Sequence, residues 1–303
     1  VRAAAFEIEV EPPSPYRLPP SGGEDGVMRV SRGVASRLLH VEGSPVLVRA
    51  WQPGAGRVAV RAEPVAPQSV AAASLPAAAA PPRPAGPAQL TLAAERIRFA
   101  LGVDDVLGEF RRRFRSDPLL GPLLRRRPWL RPRRRPWPWE ALAWALVKQL
   151  IEAGQAARIQ RRIVGRWGRR LDGGPRALRD GPPPELSAAR APAELESVGL
   201  SAGRAIALRR VAREIAAGRC DPGDPAADRR LLAVPGIGPW TVQCLGLFGR
   251  GDFDSLPAGD LAYLKLVGRL ARLGRRATVE EVERFYAPYA PFRGLAAAWT
   301  NIL

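Results

Sequence analysis

Residues 231–249 read LLAVPGIGPWTVQCLGLFG. Two apolar segments flank the turn Pro235-Gly236-Ile237-Gly238-Pro239, so the stretch predicts a short helical hairpin. One glycine at positive φ suffices to end a helix, and Pro239 suits the first position of the next. Those needs account for Gly238-Pro239 and one glycine. They account less easily for Gly236. Two positions without side chains around a single apolar residue leave backbone N–H groups open at a helix start, where a phosphate can sit.

The remainder of the chain indicates which phosphate. The 303 residues carry a formal net charge of +18, and 46% of them are hydrophobic, enough for a packed core. The charge is clustered. Residues 111–135 hold eleven Arg and one acid, and residues 161–179 hold seven Arg and one Asp. Only two lysines occur, Lys148 and Lys265, so Arg also replaces Lys on ordinary surface. That preference explains the choice of base but not the excess of bases over acids. Nucleic acid is the partner such a charge points to, ahead of a merely solvated surface or a membrane. No run of 18 apolar residues predicts a membrane span, and residues 1–10, VRAAAFEIEV, do not read as a secretory leader. A cytoplasmic, nucleoid-associated monomer is expected.

Two cysteines, Cys220 and Cys244, cannot build a four-Cys cluster or a Cys-rich zinc site. The single histidine, His40, lies in a strand-like run and reads as structural. The working group is therefore expected to be a carboxylate. No cofactor is expected, apart from a monovalent cation that the hairpin could hold.

The predicted fold class is α+β. Short Val-rich runs at 6–10, 27–30, 37–41, 46–51 and 57–62 read as strands, and residues 64–88 have the Ala/Pro composition of a linker. Residues 1–88 thus form a small β-containing, sandwich-like domain, and residues 89–303 an all-helical one with its helix–hairpin–helix at 226–249. Residues 139–168 make a long helical pattern, broken if anywhere near Gly154, with Leu142, Leu146 and Leu150 on one face. The Arg/Pro/Trp segment 125–139 precedes that helix and is expected to grip phosphate.

LLAVPGIGPWTVQ resembles the helix–hairpin–helix of the base-excision DNA glycosylase superfamily. That superfamily places an Asp after a Gly/Pro-rich loop about two dozen residues beyond the first hairpin glycine. Here DFDSLPAGDLAYLKLVGRL puts Asp260 24 residues after Gly236. VGLSAGRAIALRRVAREIAAG, LGEF at 107–110 and KQLI at 148–151 are similar to the bacterial 3-methyladenine DNA glycosylase II branch. The resemblance covers residues 90–303 well and 1–89 in outline.

The resemblance implies a monofunctional glycosylase. Asp260 would face the sugar of a flipped nucleotide; on position alone it also reads as a helix N-cap. Gly236, Ile237, Gly238 and Thr241 would meet the DNA backbone. Trp240 stands where the lyase branch carries a Lys, and would wall the base pocket or lie in the core beneath the hairpin. Leu150 would be the wedge that fills the gap, with Gln149 beside it, or a core residue on the Leu142/Leu146 face. Two departures touch the pocket. Cys244 stands where the branch often has Tyr, and Trp299 is close to, but not aligned with, an expected pocket Trp near Asn301. Tyr263, Trp137 and Trp139 are the residues that could rebuild it.

The implied reaction is hydrolytic excision of alkylated purines from DNA. The alternatives are removal of oxidised or deaminated bases, and a non-catalytic docking module. A regulator fused to a thiolate methyl acceptor is disfavoured, because no Cys precedes Cys220.

Overall fold

A computed structural model describes residues 5–71, 83–171 and 177–301. Strands β1 (Phe6–Val10), β2 (Met28–Ser31), β3 (Val34–Val41), β4 (Ser44–Trp51) and β5 (Val58–Pro64) form an antiparallel sheet in the order β1-β5-β4-β3-β2. Two of its turns are two-residue hairpins, Arg32-Gly33 and Glu42-Gly43, with positive φ at both positions of each. That geometry matches the strand twist, which is why glycine ends each pair. Three two-residue strands, β6 (Val70–Ala71), β7 (Arg170–Leu171) and β8 (Leu178–Arg179), make a second antiparallel sheet. Residues 72–82 of the Ala/Pro-rich segment lie outside the described residues.

The helices in chain order are α1 (Pro87–Leu101), α2 (Gly108–Phe114), α3 (Leu120–Arg126), α4 (Pro138–Lys148), α5 (Ala153–Trp167), α6 (Pro184–Ala189), α7 (Pro192–Glu196), α8 (Ala202–Ala216), α9 (Asp228–Leu232), α10 (Pro239–Leu245), α11 (Leu261–Leu270), α12 (Val279–Tyr286) and α13 (Arg293–Thr300). No helix among the described residues is long and apolar enough to cross a membrane. The first of them packs on the sheet. Leu90, Ala93, Ala94 and Ile97 of α1 meet Leu39, Val46, Val48 and Val60. A sheet with one apolar face needs such a cover, so a helix read from sequence as part of the helical domain completes the β layer.

The helical part has two cores. One surrounds α4, whose residues Trp139–Val147 are all buried, and it draws in α5, α8 and the hairpin through Ile237, Val242 and Leu245. The other gathers α2, α3, α11, α12 and α13 around Tyr263, Tyr286 and Trp299. The loop that leads into α11 runs where the two cores meet.

The segment 125–139 corrects an expectation. Arg131 donates to the carbonyls of Gly102 and Pro15, each at 2.8 Å, and Arg133 donates to that of Gly22 at 3.0 Å. Arg134 donates to the Phe99 carbonyl at 3.0 Å, pairs with Asp105 and stacks over the Phe99 ring. Arg135 pairs with Asp25 and with Glu140 at 3.2 Å. The guanidinium groups of Arg131, Arg134 and Arg135 are turned inward and, with the exposed Arg133, strap the N-terminal layers to the helical part, so these four are engaged within the chain rather than held out for phosphate. Arg125, Arg126 and Arg127 remain exposed.

Next to the strap lies a buried ionic network. Arg37 of β3 pairs with Glu140 of α4; Asp180 meets His40 at 3.0 Å and Arg169 at 3.2 Å; Asp25 accepts from the Trp144 indole at 3.0 Å. Burial would raise the Asp25 and Asp180 carboxyls. The facing Arg135 and Arg37 for Asp25, and His40 and Arg169 for Asp180, outweigh it and hold both below the usual range. Asp180 is therefore ionised and can only accept, so His40 donates through Nδ1. Burial pushes the His40 imidazole below its ordinary 6.5.

The sign of the pH dependence follows. An unfolded His40 takes up a proton near 6.5, whereas the folded one resists it, so its contribution is whole above 6.5 and is lost as pH falls below. Thermal melts at stepwise lower pH should show falling stability, at most about 1.4 kcal/mol per pH unit for this one proton. His40→Gln should flatten the slope between pH 6.5 and 5. An equal slope in the variant would place the titration elsewhere.

Candidate active site

The hairpin runs from α9 to α10. Gly236 has φ +93°, and a β-carbon on it would come within 2.9 Å of the Ala207 β-carbon on α8. Gly238 is the N-cap of α10, at φ −111°, and a β-carbon there would meet nothing within 4 Å. The sequence reading of the two glycines is thus reversed. Fold geometry demands Gly236, by positive φ and by close packing. Nothing inside the chain demands Gly238, whose bare face opens outward. Neither N–H finds a backbone acceptor among the described residues. Gly236→Ala should lower stability by about 1–3 kcal/mol. Gly238→Ala should leave the melting temperature unchanged and weaken duplex binding. A Gly238→Ala variant that binds as wild type does would remove the open backbone as a contact.

Ile237 and Thr241 sit differently from Gly238. The Ile237 side chain is buried in the α4 core and its N–H donates to the Val234 carbonyl at 3.0 Å. Thr241 is buried, its N–H donates to the Gly238 carbonyl at 3.0 Å, and its hydroxyl accepts from Gln149 Nε2 at 2.8 Å. The outward-facing backbone of the turn is therefore that of its two glycines.

Asp260 is the N-cap of α11, its Oδ1 accepting from the Ala262 N–H at 2.9 Å. Its Oδ2 has no partner among the described residues, so one oxygen is fixed and the other is free. Trp240 stands beside this loop. The position of a Gly259 β-carbon lies 3.8 Å from the Trp240 β-carbon and Cδ1, and 3.9 Å from Val279 Cγ2. The Trp240 ring is half-buried, and its Nε1 is enclosed without a hydrogen-bond partner. Leu261 and Val279 leave apolar surface exposed on the same rim.

Cys244 and Tyr263 lie beneath. Burial, reinforced by the Asp260 charge, pushes the Cys244 thiol and the Tyr263 phenol well up, so both are protonated at neutral pH. Cys220, also buried, is shifted the same way. Trp299 is in the second core, 0% exposed, with its ring centroid 5.9 Å from that of Phe110. Trp137 and Trp139 begin α4, at the end remote from Leu150. With His40, Trp144, Arg169 and Asp180 they line a cleft of about 1090 Å³ that contains neither the hairpin nor Asp260. They cannot rebuild a pocket around Asp260. Among the described residues, no group of three His, Cys, Asp or Glu side chains is placed to hold a metal ion.

The helical pattern at 139–168 is interrupted at residues 149–152, not at Gly154. Leu142 and Leu146 are fully buried, but Leu150 leaves their face. It has φ +57° and an exposure of 105%. A leucine in the left-handed region costs about 1–2 kcal/mol, and leaving its side chain in water forfeits roughly 1.5–3 kcal/mol of burial. The core reading of Leu150 does not hold in this structure.

No family model matches the chain. Among curated proteins, it is 37% identical over 75 residues to the probable bifunctional transcriptional activator/DNA repair enzyme AlkA of Mycobacterium tuberculosis, covering 24% of this chain and 14% of that protein. It is 34% identical over 157 residues to the DNA-3-methyladenine glycosylase 2 of Escherichia coli, 50% and 52% of the two chains. With the DNA-3-methyladenine glycosylase of Bacillus subtilis it shares 23% identity over 200 residues, 64% and 66%. The chain thus spans between 14% and 66% of the lengths of these relatives. Among solved structures, the 3-methyladenine DNA-glycosylase from Archaeoglobus fulgidus superposes with a TM-score of 0.75 at 19% identity, over 97% of both chains. The 8-oxoguanine glycosylase/lyase of Clostridium acetobutylicum gives 0.61 at 15%, over 90% of this chain and 97% of that one. The chain has the α+β fold of the helix–hairpin–helix glycosylases, and its sequence resembles the 3-methyladenine DNA glycosylases.

Proposed function

We propose that the protein is a monofunctional DNA glycosylase that flips alkylated purines of the 3-methyladenine type out of double-stranded DNA and hydrolyses their N-glycosidic bond. The observation that carries this reading is Asp260, with one oxygen fixed by the α11 cap and the other free, on a loop that touches Trp240. The outward Gly236–Gly238 backbone would dock a phosphate without reading sequence. Leu150, strained and exposed, would enter the gap left by the flipped base. There it would recover the burial it lacks in the free protein.

The chemistry follows from charge. As the bond from C1′ to the base nitrogen breaks, its electron pair leaves with the base and the sugar becomes cationic. A methylated purine already carries positive charge, so it departs neutral and needs no acid. The free Asp260 oxygen stabilises the sugar cation and orients water, which adds at C1′ as its proton passes to that carboxylate. Cys244 and Tyr263, both protonated, add no competing negative charge. The Trp240 face suits a flat cationic base.

A lyase would need an amine at the sugar, and the hairpin offers Trp240 there. One lysine to consider is Lys148, whose charge reaches the Cys244 thiol. The test is incubation with methylated duplex DNA, assayed for free base, abasic sites and strand cleavage, with borohydride to trap any Schiff base. Release of 3-methyladenine or 7-methylguanine with uncleaved abasic sites supports the proposal. A trapped adduct lost in Lys148→Ala would make the protein a lyase instead. No release from methylated DNA, but release of oxidised or deaminated bases, would move the substrate class on the same scaffold. Binding without release from any lesion would leave a docking module.

A further inference from the structure

We infer that Gln149 is a positioning residue whose amide braces the Leu150 turn against the hairpin, so that phosphate docking and wedge insertion act as one rigid unit. This deepens the glycosylase reading and rests on its wedge. Gln149 Nε2 donates to the Gly236 carbonyl and to the Thr241 hydroxyl, both at 2.8 Å. The carbonyl can only accept, which fixes the amide with its NH2 toward the hairpin. Both amide hydrogens are thereby used, one on each side of Gly238. Gln149 consequently faces protein and leaves insertion to Leu150 alone.

The surroundings tie down both ends of this link. Gly236 is packed against Ala207 of α8, and Thr241 is buried in the first turn of α10. Arg204, also on α8, donates to the Val147 carbonyl at 2.8 Å and so fills one of the acceptors left open where α4 ends. Helix α8 therefore holds the hairpin through Ala207 and the end of α4 through Arg204, while Gln149 closes the triangle between them. Leu150 stands at its apex, held in a backbone conformation that leucine would not keep without such support.

The brace makes a thermodynamic prediction that a plain helix end does not. Wild type, Gln149→Met, Leu150→Ala and the double variant would be titrated with an intact duplex and with one carrying a tetrahydrofuran abasic analogue. Wild type should prefer the gapped duplex. Gln149→Met, similar in shape but without donors, should lose about 10- to 30-fold of that preference, the worth of two neutral hydrogen bonds. Its salt slope on intact duplex should not change, because no charge is altered. In the Leu150→Ala background the same substitution should cost nothing further, since the brace acts through Leu150. Retained preference in Gln149→Met would overturn the brace, and so would a loss that persists without Leu150. Preference present and lost as described, but with no base released from any lesion by wild type, would keep the brace and refute the glycosylase. No preference in wild type would refute wedge and brace together.

Discussion

Asp260→Asn should slow single-turnover release of a methylated purine by about 10²- to 10³-fold, the usual effect of removing one preorganised charge-stabilising group. The substitution is informative because it separates two roles of one side chain. The Asn Oδ1 can still accept from the Ala262 N–H, and Asn is as good an N-cap as Asp. Helix α11 should therefore start as before, with melting temperature and DNA affinity unchanged. What disappears is the negative charge proposed to face the sugar. Asp260→Ala removes the cap as well, and should add a stability loss of about 1 kcal/mol. If Asp260→Asn released base at the wild-type rate, the carboxylate would be only a cap. If it failed to fold, the cap would be doing more than its one hydrogen bond suggests.

Glu140→Ala should cost about 3–5 kcal/mol of stability, the range for breaking one half of a buried ion pair. The side chains of Glu140 and Arg37 are 6% and 3% exposed, so the Arg37 charge left behind has little access to water. Its remaining partner within ion-pair distance, Asp180, is 3.8 Å away and already shared with His40 and Arg169, and the more distant Asp25 is already paired with Arg135. Arg37→Met in the Glu140→Ala background should recover part of the loss, because the stranded charge is then gone. Urea titration of the four proteins measures both terms. A Glu140→Ala midpoint equal to wild type would mean that water reaches Arg37 and that the sheet is not clamped at this point.

The features legible in the sequence were those set by local spacing. The hairpin, its distance to Asp260 and the alternating strands depend on residues close together in the chain. Features that depend on distant partners were not legible. LVKQLIEAG contains no Pro, and its only Gly is Gly154, so nothing local marks the break after Lys148. The break comes from Gln149 reaching Gly236 and Thr241, 87 and 92 residues away. In the same way, eleven Arg in a run declare a charge but not a direction. Arg131, Arg133 and Arg134 find their acceptors in carbonyls 29 to 116 residues earlier. Helix α3 has no clear mark in LLGPLLRRR because of its Gly-Pro, although the proline falls in the first turn, where a helix tolerates it. Trp299 shows that a spacing close to a family's is not enough. On a helix, the two-residue offset to Asn301 is a rotation of more than half a turn, and it points the ring into the core.

The chemistry of the two thiols has a consequence for the protein's own durability. A thiol reacts with a methylating agent as its thiolate, and fastest when exposed. Cys220 and Cys244 are both buried and both held in the protonated form. The electrophiles that create methylated purines therefore find neither thiol as a ready thiolate. A protein proposed to work amid alkylation damage keeps both of its thiols out of reach of the reagent that generates its substrate.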